Sequence, residues 1–156
     1  MNRIRPLAAL AAAITLWTTP GAASANDIER GRYMVLTGHC NNCHTTGYSG
    51  KQGNMPEKEW LLGNPVGYRL PTGTSYASNL RLTVQPFTEE QWVQYAKTSR
   101  PFPPMPWWSL HDTTEQDLRA MYRFIKHLGP AGQPTPLFVP PDKEPEPPYE
   151  IRRTVR

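Results

Sequence analysis

Apolar residues recur at helical spacing in three stretches of this chain, and regular patterning is sparse elsewhere. The clearest stretch holds Leu118, Met121, Tyr122, Ile125 and Leu128 on one face. Thr113 to Gln116 reads as its capping box, and Gly129-Pro130 as its stop. A second helix is predicted after Thr88, capped by Thr88 and Gln91 and carrying Trp92, Val93, Tyr95 and Ala96. A third is predicted over about residues 27–37, with Asn26 and Glu29 as capping box and Gly38 as stop. Its apolar positions, Ile28, Tyr33, Val35 and Leu36, form an imperfect stripe.

Between these helices the chain is rich in turn residues: Gly47, Gly50, Gly53, Gly63, Pro65, Gly67, Pro71 and Gly73. Strand alternation is weak, so the expectation is an all-α domain, three main helices joined by long ordered loops. Loops of that length are ordered for a functional or cofactor reason. From Gly129 onward come eight prolines and many charges, which predicts that residues 131–156 form an extended, polyproline-like or partly disordered tail. There is no internal repeat.

The N-terminal residues read as an export signal rather than as structure. Arg3 and Arg5 form a basic start, Leu7 to Trp17 an apolar run, and Ala23-Ser24-Ala25 a small-residue cleavage site. The run is too short to span a bilayer comfortably, and no cysteine stands at the cleavage point to accept a lipid. The organisation expected is a secretory signal at 1–25, one domain at 26–130 and the tail at 131–156. The protein is then exported to the periplasm, with no stable transmembrane segment after cleavage.

Cleavage there also removes two arginines and no acids, leaving 15 basic against 13 acidic residues. The whole chain's net charge of +4 falls to +2, and the basic residues are scattered, so no nucleic-acid partner is implied. Eighteen prolines and eleven glycines argue against a large self-sufficient core. Small chains of this kind need a staple.

Cys40-Asn41-Asn42-Cys43-His44 supplies one. C-x-x-C-H is the attachment motif of a c-type haem. Two thiols three residues apart lie on one helical turn, so each can add to one porphyrin vinyl group. His44 then falls beneath the ring, as an axial ligand to iron. These are the chain's only two cysteines, so neither a disulfide framework nor a zinc site of four thiolates is available. A redox-active dithiol would need a βαβ context, which is missing. A zinc site would need a fourth ligand from His39, His111 or His127. One motif implies one haem.

For the second axial position the candidate is Met105, within Pro103-Pro104-Met105-Pro106-Trp107-Trp108. Prolines on both sides stiffen the loop that presents its thioether, and Trp107 and Trp108 are expected to cover the haem edge. Histidine–methionine ligation suits electron transfer and leaves no site for substrate. Met34 and Met121 read as core filler, and Met55 lies on a polar loop. His39 abuts the attachment site, His127 complements a helix C-terminus, and His111 is the remaining nitrogen alternative. An open sixth position would instead make the chain a haem enzyme or sensor.

Taken together, these residues resemble the class I cytochrome c family. The likeness is closer still to bacterial cytochrome c subunits that serve alcohol and aldehyde dehydrogenases. It is carried by Gly31-Arg32-Tyr33, Gly38-His39-Cys40, Gly73 through Leu80, Pro103 through Trp108, and Leu128 through Gly132. The resemblance implies a cytochrome c-like fold around one covalently attached haem, with Cys40 and Cys43 as thioether sites and His44 and Met105 as ligands. It also implies that Met121 and Phe124 lie where the last helix crosses the first. A dehydrogenase is the implied donor, and an oxidase or other respiratory-chain component the acceptor, so the chain is a carrier rather than an enzyme. Many such subunits hold three C-x-x-C-H motifs, whereas this chain holds one. Relatives often have proline soon after the haem histidine. Here Thr45-Thr46 takes that place, leaving the carbonyl partner of His44 to be identified.

Overall fold

A computed structural model describes residues 24–152; most of the expected export signal, residues 1–23, lies outside the described residues. Six α-helices occur among the described residues: α1 (Ala25–Thr37), α2 (Cys40–His44), α3 (Leu80–Thr83), α4 (Glu89–Thr98), α5 (Trp107–Asp112) and α6 (Glu115–Leu128). The three long ones are those the apolar spacing predicts, and α4 starts at its expected Thr88–Gln91 capping box. The other two caps are shifted. Ser24, not Asn26, caps α1 by a box with Asp27, and Thr114, not Thr113, caps α6. Ser24 and Ala25, which the leader reading places in the removed segment, thus begin the first helix.

The core forms where α1 and α6 cross. At Gly31 an added Cβ would sit 2.0 Å from the Ala120 carbonyl oxygen and 2.6 Å from Phe124 Cβ, so only glycine permits this approach. Val35, Leu118, Met121, Phe124 and Ile125 pack there with Trp60, Leu61, Val84, Trp92, Val93 and Ala96. Met121 is therefore core filler, and Phe124 stands at the crossing. Charges lace the rim: Arg123 bonds Asp27 of α1 and Glu89 of α4, both at 2.7 Å, and Arg30 bonds Asp117 at 2.7 Å. Arg81 is buried, and its guanidinium donates to the carbonyls of Gly129 (2.6 Å), Lys58 (2.8 Å) and Leu128. It thereby caps the end of α6 from outside the helix.

The all-α expectation needs correcting, because a small sheet is present. Strands β1 (Gly67–Leu70), β2 (Gly73–Ser75) and β3 (Tyr149–Ile151) lie in the order β2-β1-β3. The β1–β2 pair is an antiparallel hairpin with Arg69 opposite Thr74, while β3 joins β1 in parallel, Tyr68 opposite Glu150. Strands this short are too brief for alternation to register. The segment after α6 folds back along the body: Asn79 Nδ2 donates to the carbonyls of Ala131 (2.8 Å) and Gln133 (3.2 Å). Thr74 and Val139 then exchange two backbone hydrogen bonds of 2.8 and 2.9 Å. Among the described residues, no helix is long and apolar enough to cross a membrane.

Candidate functional site

The C-x-x-C-H residues form α2, a single turn. The chain enters it through Gly38 and His39, the latter at φ 56°. Thr45 fixes its exit: the hydroxyl donates to Asn41 Oδ1 at 2.7 Å and accepts from the Leu61 amide at 2.8 Å. The Thr45-Thr46 departure is thus built into the turn, since a proline at residue 45 would have no hydroxyl to join Asn41 to Leu61.

His44 is only 8% exposed. Its Nδ1 lies 2.7 Å from the Ser78 carbonyl oxygen. A carbonyl can only accept, so Nδ1 carries the proton and Nε2 keeps its lone pair. Burial lowers the pKa of His44, and the Ser78 carbonyl partly opposes that shift. The ring is therefore held neutral, oriented and able to ligate, the arrangement expected of a metal-binding imidazole. Ser78 is the carbonyl partner that the sequence leaves unidentified.

His44 faces a cavity of ≈ 290 Å³. Cys43 and Met105 line the same cavity, so three of the four candidate site residues converge on it. Cys40 sits one turn back, against the hydrophobic core. The remaining wall is largely aromatic and apolar: Tyr68 of β1, Trp92 and Tyr95 of α4, and Pro136 and Phe138 from beyond α6. Burial raises the Tyr68 phenol, with the neighbouring Cys43 contributing.

The other candidates stand apart from this cavity. His39 and His127 are exposed, and His111 Nε2 lies 2.9 Å from the Ser99 carbonyl oxygen. Met34 packs against the core, and Met55 lines a separate groove with Leu62 and Pro134. No group of three or more His, Cys, Asp or Glu side chains is placed to hold a metal ion among the described residues. Burial pushes the Cys40 thiol up to about 11.

The tryptophans are not where the sequence reading puts them. Neither Trp107 nor Trp108 lines the cavity. Trp107 packs on His111 and under Arg100, and Trp108 is 55% exposed. The aromatic cover comes instead from Tyr68 and Phe138, which sequence reasoning missed. The chain's one pointer to that wall is the motif from Gly73 to Leu80.

A cavity lined by the Cys43 thiol, a neutral buried imidazole, a thioether and aromatic walls, with Cys40 on the same turn behind it, suits a haem. The relatives found by comparison are named as cytochrome subunits, which implies haem. The chain is 27% identical over 131 residues to the fructose dehydrogenase cytochrome subunit of Gluconobacter japonicus, covering 76% of this chain and 25% of that protein. It is 28% identical over 148 residues to the cytochrome c subunits of the quinone alcohol dehydrogenases of Gluconacetobacter polyoxogenes and Komagataeibacter europaeus, covering 88% of this chain and 28% of each. The chain thus spans about a quarter of the length of these relatives, and its resemblance to dehydrogenase cytochrome subunits is borne out. No protein-family model matches it. No solved structure matches it either.

Proposed function

We propose that this chain is a periplasmic electron carrier holding one haem. Cys40 and Cys43 are its thioether attachment sites, and His44 and Met105 its axial ligands. The observation that carries this reading is the meeting of Cys43, Met105 and the Ser78-oriented His44 at one cavity. Haem bound there supplies an iron that takes up and releases one electron. The chain's residues make that transfer cheap. His44 is already neutral and hydrogen-bonded, so neither ring reorientation nor proton movement is needed. Met105 offers a soft thioether, which favours the reduced metal and keeps the second position from substrate. The aromatic wall excludes water, so less solvent rearranges when charge changes.

The names of the relatives support a dehydrogenase as electron donor; the acceptor in this proposal is an oxidase or other respiratory-chain component. Each relative is named as a cytochrome subunit, which supports electron transfer as the role of this chain. Secretion into an oxidising compartment by residues 1–25 fits the attachment motif.

Covalent attachment is the first thing to test. The secreted protein's intact mass should exceed that of the polypeptide by one haem, and acid–organic extraction should leave the colour with the protein. Colour passing into the solvent would overturn the assignment, as would a reversible Cys40–Cys43 disulfide.

A further inference from the structure

The loop that carries Met105 has little means of holding itself in place. Four of the six residues from Pro101 to Pro106 are prolines, which have no backbone N–H. Only Phe102 and Met105 can donate, and the Met105 amide is turned back on the Phe102 carbonyl at 3.3 Å. The prolines stiffen the loop, but its position over the cavity has to come from other parts of the chain.

Three consecutive residues of β2 supply it. Ser75 Oγ donates to the Pro103 carbonyl at 2.5 Å. Thr74 is bridged through its backbone to Val139. At Gly73, φ +124°, an added Cβ would lie 2.4 Å from Phe138 Cζ and 2.7 Å from the Val139 carbonyl oxygen. The Phe138 ring thus rests on bare backbone. It stacks on Phe102 with centroids 3.7 Å apart and planes 8° from parallel. Phe102 is 53% exposed, so this stack is a large share of its packing. The strap formed by residues 131–139 is itself anchored upstream, where Asn79 holds the carbonyls of Ala131 and Gln133.

We infer that Phe138 is a positioning residue for Met105: the strap after α6 clamps the 101–106 loop against β2 and so holds the thioether at the cavity. The inference rests on Met105 being the second axial ligand. A thioether is a weak ligand, and its hold depends on the loop having nowhere else to go. Releasing Phe102 lets the loop lift and lets an external ligand compete.

The test is imidazole binding to the ferric holoprotein, read together with the near-infrared charge-transfer band of sulfur–iron ligation. Phe138→Ala should bind imidazole about three- to tenfold more tightly, the range an aromatic pair supplies, and should weaken the band. Phe138→Tyr should restore both. Gly73→Ala, which displaces the same ring from its other side, should reproduce the Phe138→Ala result. Leu137→Ala, at a neighbouring side chain 87% exposed, should change neither. If Phe138→Ala does not fold, Phe138→Leu keeps much of the apolar volume and removes the stack. Unchanged imidazole affinity and an unchanged band in a folded Phe138 variant would overturn the clamp while leaving Met105 as ligand. A band missing from the unmodified protein would overturn the ligand assignment and the clamp with it.

Discussion

His44 Nδ1 donates a 2.7 Å hydrogen bond to the carbonyl oxygen of Ser78, 34 residues further along the chain. That bond ties the C-x-x-C-H turn to the loop before α3, and it decides which ring nitrogen is free. Asn79, the next residue, is 3% exposed. Its side chain caps α3 through the Leu82 amide and also donates to the carbonyls of Ala131 and Gln133. The orientation of the His44 ring and the anchoring of the strap thus meet at two adjacent residues.

Asn79→Ala should therefore disturb more than a helix cap. The carbonyls of half-buried Ala131 and exposed Gln133 lose their donor and the Leu82 amide its acceptor, a loss of about 1–3 kcal/mol in denaturant unfolding of the holoprotein. Ser78 would also be less firmly held. The variant's reduction potential should move, whereas a loss of capping alone would change stability and leave the potential as it was.

The crossing of α1 and α6 makes a second prediction. Gly31→Ala places a methyl group against the Ala120 carbonyl, on rigid backbone that cannot yield. The helices must separate, at a cost of about 2–3 kcal/mol or more. Gly50, whose Cβ position is met only by the Gly47 carbonyl oxygen at 3.6 Å, should accept alanine within about 0.5 kcal/mol. Equal stability of the two variants would show that the crossing is looser than described.

Acid should weaken the same helix layer. Asp117 is held below its ordinary value first by its hydrogen bond from Arg30, with Thr114 adding to it and burial opposing. While Ser24 is present, Asp27 is lowered as well, first by the Ser24 hydroxyl, with burial opposing and Arg123 adding to it; cleavage after Ala25 removes the Ser24 part of that shift and leaves the Arg123 part. Because the folded values lie below the unfolded ones, their stabilisation is complete above the ordinary carboxylate range near pH 4. It is lost as pH falls through the folded values. Far-UV dichroism should show helix loss beginning below about pH 4. In Asp117→Asn, stability should depend less steeply on pH in that range; an unchanged dependence would contradict the assignment.

Much of this was readable from the residues, and the failures have physical causes. The helices α4 and α6 show because capping residues and an apolar face agree. The α1 cap is displaced because Ser24–Asp27 and Asn26–Glu29 both match the pattern, and Asp27 alone also meets Arg123. The sheet is invisible in sequence because Gly67–Leu70 and Tyr149–Ile151 are three or four residues long and pair across a long intervening stretch of chain. His44 and Met105 stand out, one from motif spacing and the other from its proline-flanked loop. Phe138 does not, because a proline-rich segment reads the same whether it hangs free or straps a cavity. Trp107 and Trp108 mislead because they adjoin Met105 in sequence but lie on α5, which turns them away from the cavity.

The ligand pair is the centre of the account, and the weak near-infrared charge-transfer band of the ferric protein tests it most directly. The account predicts the band in the unmodified protein, its survival in Met121→Leu, and its loss in Met105→Ala together with new binding of added ligands. Met105→His should keep the iron six-coordinate and lower the potential, because imidazole favours the oxidised metal more than a thioether does. A band absent from the unmodified protein, or one that survives Met105→Ala, would contradict the account and favour a haem enzyme or sensor with an open position.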